Sequence, residues 1–354
     1  MLARAPGYRA VVDLDTRLTV LGSLNMDISV TVPALPGPGA TVLGGGADFA
    51  PGGKGANQAV AAARLGGEAG LTVRMVGCVG DDDFGRALRA ALTAEGIDDR
   101  AVRTVAGVPT GIAMITVDSV GENMITVAPG ANREVGAADA AMAGQPGEAG
   151  PAPEAAAGVL VISAEIPVPA IRAALAPRVA GQSPSPVLTV LNLAPAPPEA
   201  ADIVAAGPDW LVVNESEAGA VLGRPVSGLD AAARAAADLV AAGARHAVVT
   251  AGAAGAAYHG TPDDGDSKER SGTVAGFPVR AVDTVGAGDT FVGALAVALA
   301  AGIAPLDAVT AASAAGATAA TRPGTQGGMP RPADIGAVTH YEWPVPAAGP
   351  AANS

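Results

Sequence analysis

The sequence predicts an α/β protein: a mainly parallel sheet with helices on both faces, accompanied by a small β lid. Three observations carry this. Short apolar runs rich in Val, Leu and Ile alternate with alanine-rich stretches along 354 residues, the rhythm of strands and helices that builds a parallel sheet. Two glycine-rich turns, at 51–55 and 286–288, run directly into alanine-rich stretches. Two segments, about 28–50 and 102–127, break the rhythm with β-branched residues between Gly, Pro and Asp turns.

In chain order, Leu18 to Leu21 is the first strand and Ala56 to Leu65 the first helix, with the extended 28–50 segment between them. Leu71 to Val76 leads to the helical run Phe84 to Glu95, and Val159 to Ile162 leads to Pro169 to Leu175. Val187 to Leu191, Trp210 to Val213 and His246 to Thr250 complete the buried strands. The expected domain spans 18–335, its lid formed by about 28–50 and 102–127. Residues 1–17 read as a disordered N-terminal extension and 336–354 as a C-terminal tail. The stretches 135–158 and 261–270 have little apolar periodicity and read as surface insertions.

Composition bounds the function. Aromatic residues make up 3% of the chain and there are 48 glycines, so packing must rest on Ala, Val, Leu and Ile, with helices close together. A net charge of −13 opposes nonspecific nucleic-acid binding, which needs Lys and Arg against phosphates. Lys54 and Lys268 are the only lysines, which makes Lys54, between glycines, conspicuous. The single cysteine, Cys78, excludes an intramolecular disulfide, reads as a buried strand residue, and suits a reducing compartment. The apolar runs are too short to span a bilayer and no secretory leader is evident, so a cytoplasmic location is expected.

The most informative stretch is 282–295, where Asp289 stands at the passage from a glycine-rich turn into a helix. First-turn amides lack intrahelical partners and carry the positive end of the helix dipole, so Gly286, Ala287 and Gly288 can surround developing negative charge while Asp289 takes a proton. The same residue could simply cap the helix. Asn25, Asp27, Lys54 and Asn57 offer the mixed donors and acceptors that a sugar's hydroxyls require, although an Asx turn explains Asn25 and Asp27 equally well. Lys54 is followed by Gly55, so the Walker pattern is absent and phosphates must bind elsewhere. Thr250-Ala251-Gly252-Ala253-Ala254-Gly255 follows a strand and is either a phosphate loop or a tight turn. Asn214 and Glu217 lie on one helical face, as a cap or near a metal.

Taken in order, Gly22 to Asp27, Pro51 to Gln58, Gly80 to Gly85, Thr110-Gly111, Gly130 to Asn132, Leu193 to Ala196, Asn214 to Glu217 and Val282 to Leu295 resemble the ribokinase-like family of sugar kinases. The likeness runs over about 18–335, and this many ordered matches are more specific than one glycine pattern. It implies a three-layer sandwich whose lid covers the sugar and pairs with a second subunit, giving a homodimer. It also implies ATP-dependent phosphorylation of a sugar alcohol with Asp289 as base. Ribose at its 5-hydroxyl leads the acceptors, ahead of deoxyribose, fructose or a nucleoside. A silent sugar-binding sensor is disfavoured by the intact Asp289, Gly286, Gly288, Asn214 and Glu217.

By resemblance, Asn25, Met26, Asp27, Gly53, Lys54, Gly55, Ala56, Asn57 and Glu165 bind the sugar, with Ala113 and Ile115 as apolar lid positions. Glu165 could also be an ordinary acid at a strand end, and Ala113 and Ile115 ordinary strand packing. ATP falls to Asn214, Thr250 through Gly255, Gly288 and Ser313, and hydrated Mg²⁺ is arranged indirectly by Glu217. An activating K⁺ site corresponds to Asp283, Val285, Ala319, Arg322, Gly324 and Gly328. Two departures stand out: Gly328 replaces a serine common in the family, and Ser313 replaces a larger polar residue near adenine.

Overall fold

The computed structural model describes residues 17–144, 158–179, 187–261 and 270–346. Its strands are β1 (Arg17–Leu21), β2 (Asn25–Thr31), β3 (Ala47–Gly52), β4 (Thr72–Gly80), β5 (Asp98–Val105), β6 (Gly111–Val117), β7 (Asn123–Ala128), β8 (Gly158–Ser163), β9 (Val187–Asn192), β10 (Trp210–Asn214), β11 (His246–Thr250), β12 (Gly255–Gly260) and β13 (Ser271–Ala275). The helices are α1 (Lys54–Gly66), α2 (Asp83–Ala94), α3 (Ala137–Ala143), α4 (Val168–Val179), α5 (Ala200–Ala205), α6 (Glu215–Leu222), α7 (Leu229–Ala241), α8 (Ala287–Ala300), α9 (Pro305–Ala319), α10 (Thr325–Gly328) and α11 (Pro332–Thr339). The large sheet has the order β13-β12-β11-β10-β9-β8-β1-β4-β5, and a separate sheet the order β3-β2-β6-β7. From β11 to β5 every neighbouring pair is parallel, while β12 and β13 extend one edge antiparallel.

Alternation along the strands divides the core in two. Leu18, Val20, Val161, Trp210, Val212 and Val248 join a cluster with residues of α1, α2, α8, α9 and α11. Their neighbours Leu21, Leu160, Ile162, Leu211, Val213, Ala247 and Val249 join a second cluster with residues of α3 to α7. A parallel strand covered on both sides must be apolar on both, which is why these runs read as continuous rather than alternating. Cys78 is buried in β4, as the sequence implied.

Helix α8 is apolar all round and buried from Asp289 to Ala298, as befits a helix held within the molecule. It packs against α1 and α9. Gly293 makes the approach to α1 possible: a methyl group there would lie 2.7 Å from both Ala61 Cβ and the Gln58 carbonyl oxygen. This contact sets the separation between α1 and the start of α8, and so positions the site.

The lid differs in its limits from the sequence reading. Residues 102–105 belong to β5 and pair with β4 in the large sheet, because Ala101 and Val102 find buried places there. The lid strands are β2, β3, β6 and β7, so that sheet begins at Asn25 and ends at Ala128. Asp82 fastens it, accepting from Thr110 N at 2.8 Å, Thr110 Oγ1 at 2.6 Å and Gly85 N at 2.8 Å. Two further expectations are corrected. Residues 135–144 contain α3, with Val135, Asp139, Ala140 and Ala143 buried. The expected tail, 336–354, completes α11 as far as Thr339 and then places Trp343 and Val345 in the core. The rest of the two expected insertions, 145–157 and 262–269, and the termini 1–16 and 347–354 lie outside the described residues.

Candidate active site

The proposed groups cluster at the carboxyl ends of parallel strands, where open α/β sheets place ligands. Beyond β1, Ser23 Oγ donates to Glu165 Oε2 at 2.7 Å, and the same carboxylate oxygen accepts from Lys54 N at 3.2 Å. Glu165, just past β8, is therefore tied to the entrance of α1. Asn25 is buried, its Oδ1 accepting from Asn132 Nδ2 at 2.8 Å, while Asn132 brackets Leu24 through its backbone N and O. Asp27 lies two residues further along the same face of β2 and is paired in register with Ala113, with Ile115 next on that face. The lid thus presents Asp27 beside the two apolar positions read from the sequence. Met26, Gly55 and Ala56 differ: all three are buried, the Met26 and Ala56 side chains are packed in the core, and Gly55 is placed by its backbone N, which donates to Ser23 Oγ at 3.3 Å.

Gly286 begins α8 in the left-handed region at φ 79, and a Cβ there would fall 2.8 Å from a Thr325 methyl. Only glycine suits that turn. Ala287 N donates to Thr284 O at 3.2 Å, so this amide, expected to face an anion, is engaged in a turn. Gly288 and Asp289 supply the first-turn amides without intrahelical acceptors. Asp289 itself is 7% exposed. Its Oδ2 accepts from Asn57 Nδ2 at 2.9 Å and its Oδ1 from Gln58 Nε2 at 3.1 Å. It does not cap α8 through its side chain in the manner of an N-cap, because the cap position belongs to Gly286.

Four carboxylates act on one ammonium. Lys54 is raised above its ordinary range, first by Asp289 and, after a smaller opposing effect of burial, by Glu165, Glu217 and Asp27. Burial, then the charges of Glu165 and Asp289, push Asp27 up to about 7, with Lys54 opposing. Glu217 is raised chiefly by burial. Lys54 is thus the local positive centre of an acidic site in an acidic protein.

Asn214 and Thr250 are register neighbours at the ends of β10 and β11. Asn214 caps α6, and a capping box forms: Glu217 N donates to Asn214 Oδ1 and Asn214 N to Glu217 Oε2, both at 2.9 Å. The cap reading is therefore observed, while the Glu217 charge also reaches Lys54. Gly252, Ala253 and Ala254 form an exposed turn, with Ala251 and Gly255 buried at its base. Ser313 returns its hydroxyl to Val309 O at 2.8 Å. Asp283 accepts from Val285 N at 3.0 Å and Gly324 N at 2.9 Å, joining the segments expected to hold a cation. A Cβ at Gly328 would lie 3.0 Å from Ala319 O and 3.2 Å from Arg322 O, so the missing side chain leaves a small space faced by two carbonyls. The Arg322 side chain turns instead to Asp334 at 2.7 Å.

Comparison with known proteins supplies the deciding observation. The pfkB family carbohydrate kinase pattern matches residues 15–332. The chain belongs to this family. This carbohydrate kinase is 35% identical over 313 residues to the ribokinase of Haemophilus influenzae, covering 88% of this chain and 95% of that one. It is 36% identical over 318 residues to the ribokinase of Schizosaccharomyces pombe, covering 88% and 94%. Among solved structures, the Thermotoga maritima ribokinase superposes with a TM-score of 0.76 at 30% identity, covering 91% and 98%. Family membership accounts for the mainly parallel sheet with helices on both faces.

The sequence reading missed several residues of this kinase. Gln58 touches Asp289, and Gln326 reaches Asn57 at 3.0 Å. Asn132 and Asn192 hold Asn25 and Gln58. Gln58 and Gln326 stand inside segments already singled out, which was the available signal; their partners are 231 and 269 residues away.

Proposed function

We propose that this kinase transfers the γ-phosphoryl group of ATP to the 5-hydroxyl of D-ribose. The observation that carries the reading is Asp289, buried at the start of α8, held by two amide donors, and foremost among the charges that raise Lys54. The similar ribokinases support the acceptor, including an Arabidopsis thaliana ribokinase solved with ribose and ATP at a TM-score of 0.74 and 27% identity. In the step, Asp289 takes the hydroxyl proton as that oxygen forms a bond to the γ-phosphorus. The bond from phosphorus to the bridging oxygen breaks and ADP leaves with the electron pair. The amides of Gly288 and Asp289, with the glycine turn at Gly286, stabilise the developing charge. Asn25, Asp27, Asn57, Lys54 and Glu165 orient the sugar, and Asn214 with the 250–255 turn receives the nucleotide.

Mg²⁺ would be held through the nucleotide's phosphates and its own waters, with the carboxylate of Glu217, whose charge also acts on Lys54, arranging those waters indirectly. When bound, it neutralises charge on the β- and γ-phosphates. K⁺ would be held mostly by backbone oxygens of the segments joined at Asp283, among them the Ala319 and Arg322 carbonyls that face Gly328. The exposed lid residues Phe49, Met114, Met124, Ile125 and Val127 support pairing with a second subunit through the lid. No described helix is long and apolar enough to cross a membrane.

The test is ADP release from MgATP across ribose, deoxyribose, fructose, adenosine and pseudouridine, with Asp289→Asn in parallel. A strong preference for ribose and a loss of about 10²- to 10⁴-fold in turnover, with ATP binding kept, are expected. Preference for another acceptor overturns the substrate, and near-normal turnover of the variant overturns the role of Asp289.

A further inference from the structure

Both oxygens of Asp289 accept from carboxamides, and each of those carboxamides is turned by another. Gln326 Nε2 donates to Asn57 Oδ1 at 3.0 Å, leaving Asn57 Nδ2 to donate to Asp289. On the other side, Asn192 Nδ2 donates to Val212 O at 3.2 Å, and Asn192 Oδ1 accepts from Gln58 Nε2 at 2.9 Å. The two ends of an amide have nearly the same shape but opposite hydrogen-bonding character, so partners decide its orientation. A carbonyl such as Val212 O can only accept. It therefore directs the Asn192 oxygen to Gln58, which directs the Gln58 nitrogen to Asp289. Gln58 is fully buried and, among the described residues, its Oε1 has no hydrogen-bond partner. A buried acceptor left unpaired is unfavourable, so packing alone does not account for glutamine here.

We propose that Gln58, Asn192 and Gln326 are positioning residues that act through Asp289, fixing the plane and rotamer of its carboxylate so that a free lone pair faces the acceptor hydroxyl. Gln326 also joins the 324–328 segment to the centre through Asn57. This rests on Asp289 as the base, and the test separates the two ideas. Gln58→Met keeps the length and removes both the donor and the orphan acceptor, and Gln326→Met removes the outer donor on the other side. Each is expected to lower kcat about 10- to 100-fold, with little change in KM for ATP and a melting temperature close to wild type. In an Asp289→Asn background, Gln58→Met should add almost nothing, because residues acting as a unit are not additive. Wild-type kcat in both single variants, or a Gln58→Met loss that multiplies in full with that of Asp289→Asn, overturns the proposal and leaves Asp289 as base. Near-normal turnover of Asp289→Asn alone overturns the underlying assignment instead.

Discussion

Replacing Gly293 by alanine is expected to damage stability and catalysis together, although the residue lies a helical turn beyond Asp289 in α8. The added methyl would lie 2.7 Å from Ala61 Cβ and from Gln58 O, and 3.0 Å from Ala62 N. Two of those neighbours are backbone atoms of α1, so no side chain can rotate away. Carbon atoms need about 3.5 Å, which requires α1 and α8 to part by about 0.8 Å. The bonds from Asn57 and Gln58 to Asp289, now 2.9 and 3.1 Å, would stretch beyond the roughly 3.2 Å range of good hydrogen bonds. Overpacking of this kind costs about 1–3 kcal/mol, and misplacement near 1 Å at a reacting group costs up to about 100-fold in rate. Urea unfolding reads the first and kcat at saturating sugar and ATP reads the second. A variant as stable and as fast as wild type would show that the α1–α8 spacing does not hold the centre.

Other consequences are as direct. Asp27 is pushed up to about 7 from an ordinary 3.8 by burial and then by Glu165 and Asp289, so between those values the folded chain binds more protons than the unfolded one. Its contribution to stability therefore falls as pH rises through that window and levels off above it. Asp27→Asn should flatten this slope in unfolding curves from pH 4.5 to 8, and parallel curves for the two proteins would refute the assignment. Gly328→Ser, which supplies the hydroxyl common at this position in the family beside the Ala319 and Arg322 carbonyls, should raise stimulation by K⁺ over Na⁺; equal stimulation in both proteins places the ion elsewhere. The wild-type chain should sediment at twice its own mass and Ile125→Glu, on the exposed lid, as a monomer, whereas a monomeric wild type removes the lid pairing.

Much of this arrangement was legible along the chain because its causes are local. An apolar run covered on both faces signs itself by continuity, as in β8 and β10, and a glycine turn before an alanine-rich stretch marks the start of α8 with Asp289 in its first turn. The lid boundary was less legible. Val102 to Val105 has the β-branched character of a strand in either sheet, and only its pairing with β4 assigns it. Met26 sits between two candidate site residues, Asn25 and Asp27, in the sequence, yet strand alternation sends its side chain into the core.

By itself, the sequence determined the strand and helix rhythm, the special turn at Gly286, the position of Asp289 and the isolation of Lys54, since each follows from residue type, spacing or local backbone preference. Tertiary structure decided which amides meet Asp289, how Asn192 and Gln326 orient them, and how four carboxylates raise Lys54. Those depend on distance in space. Asn57 and Asp289 are 232 residues apart and meet only because Gly293 lets two helices approach to van der Waals contact, a relation that no local pattern encodes.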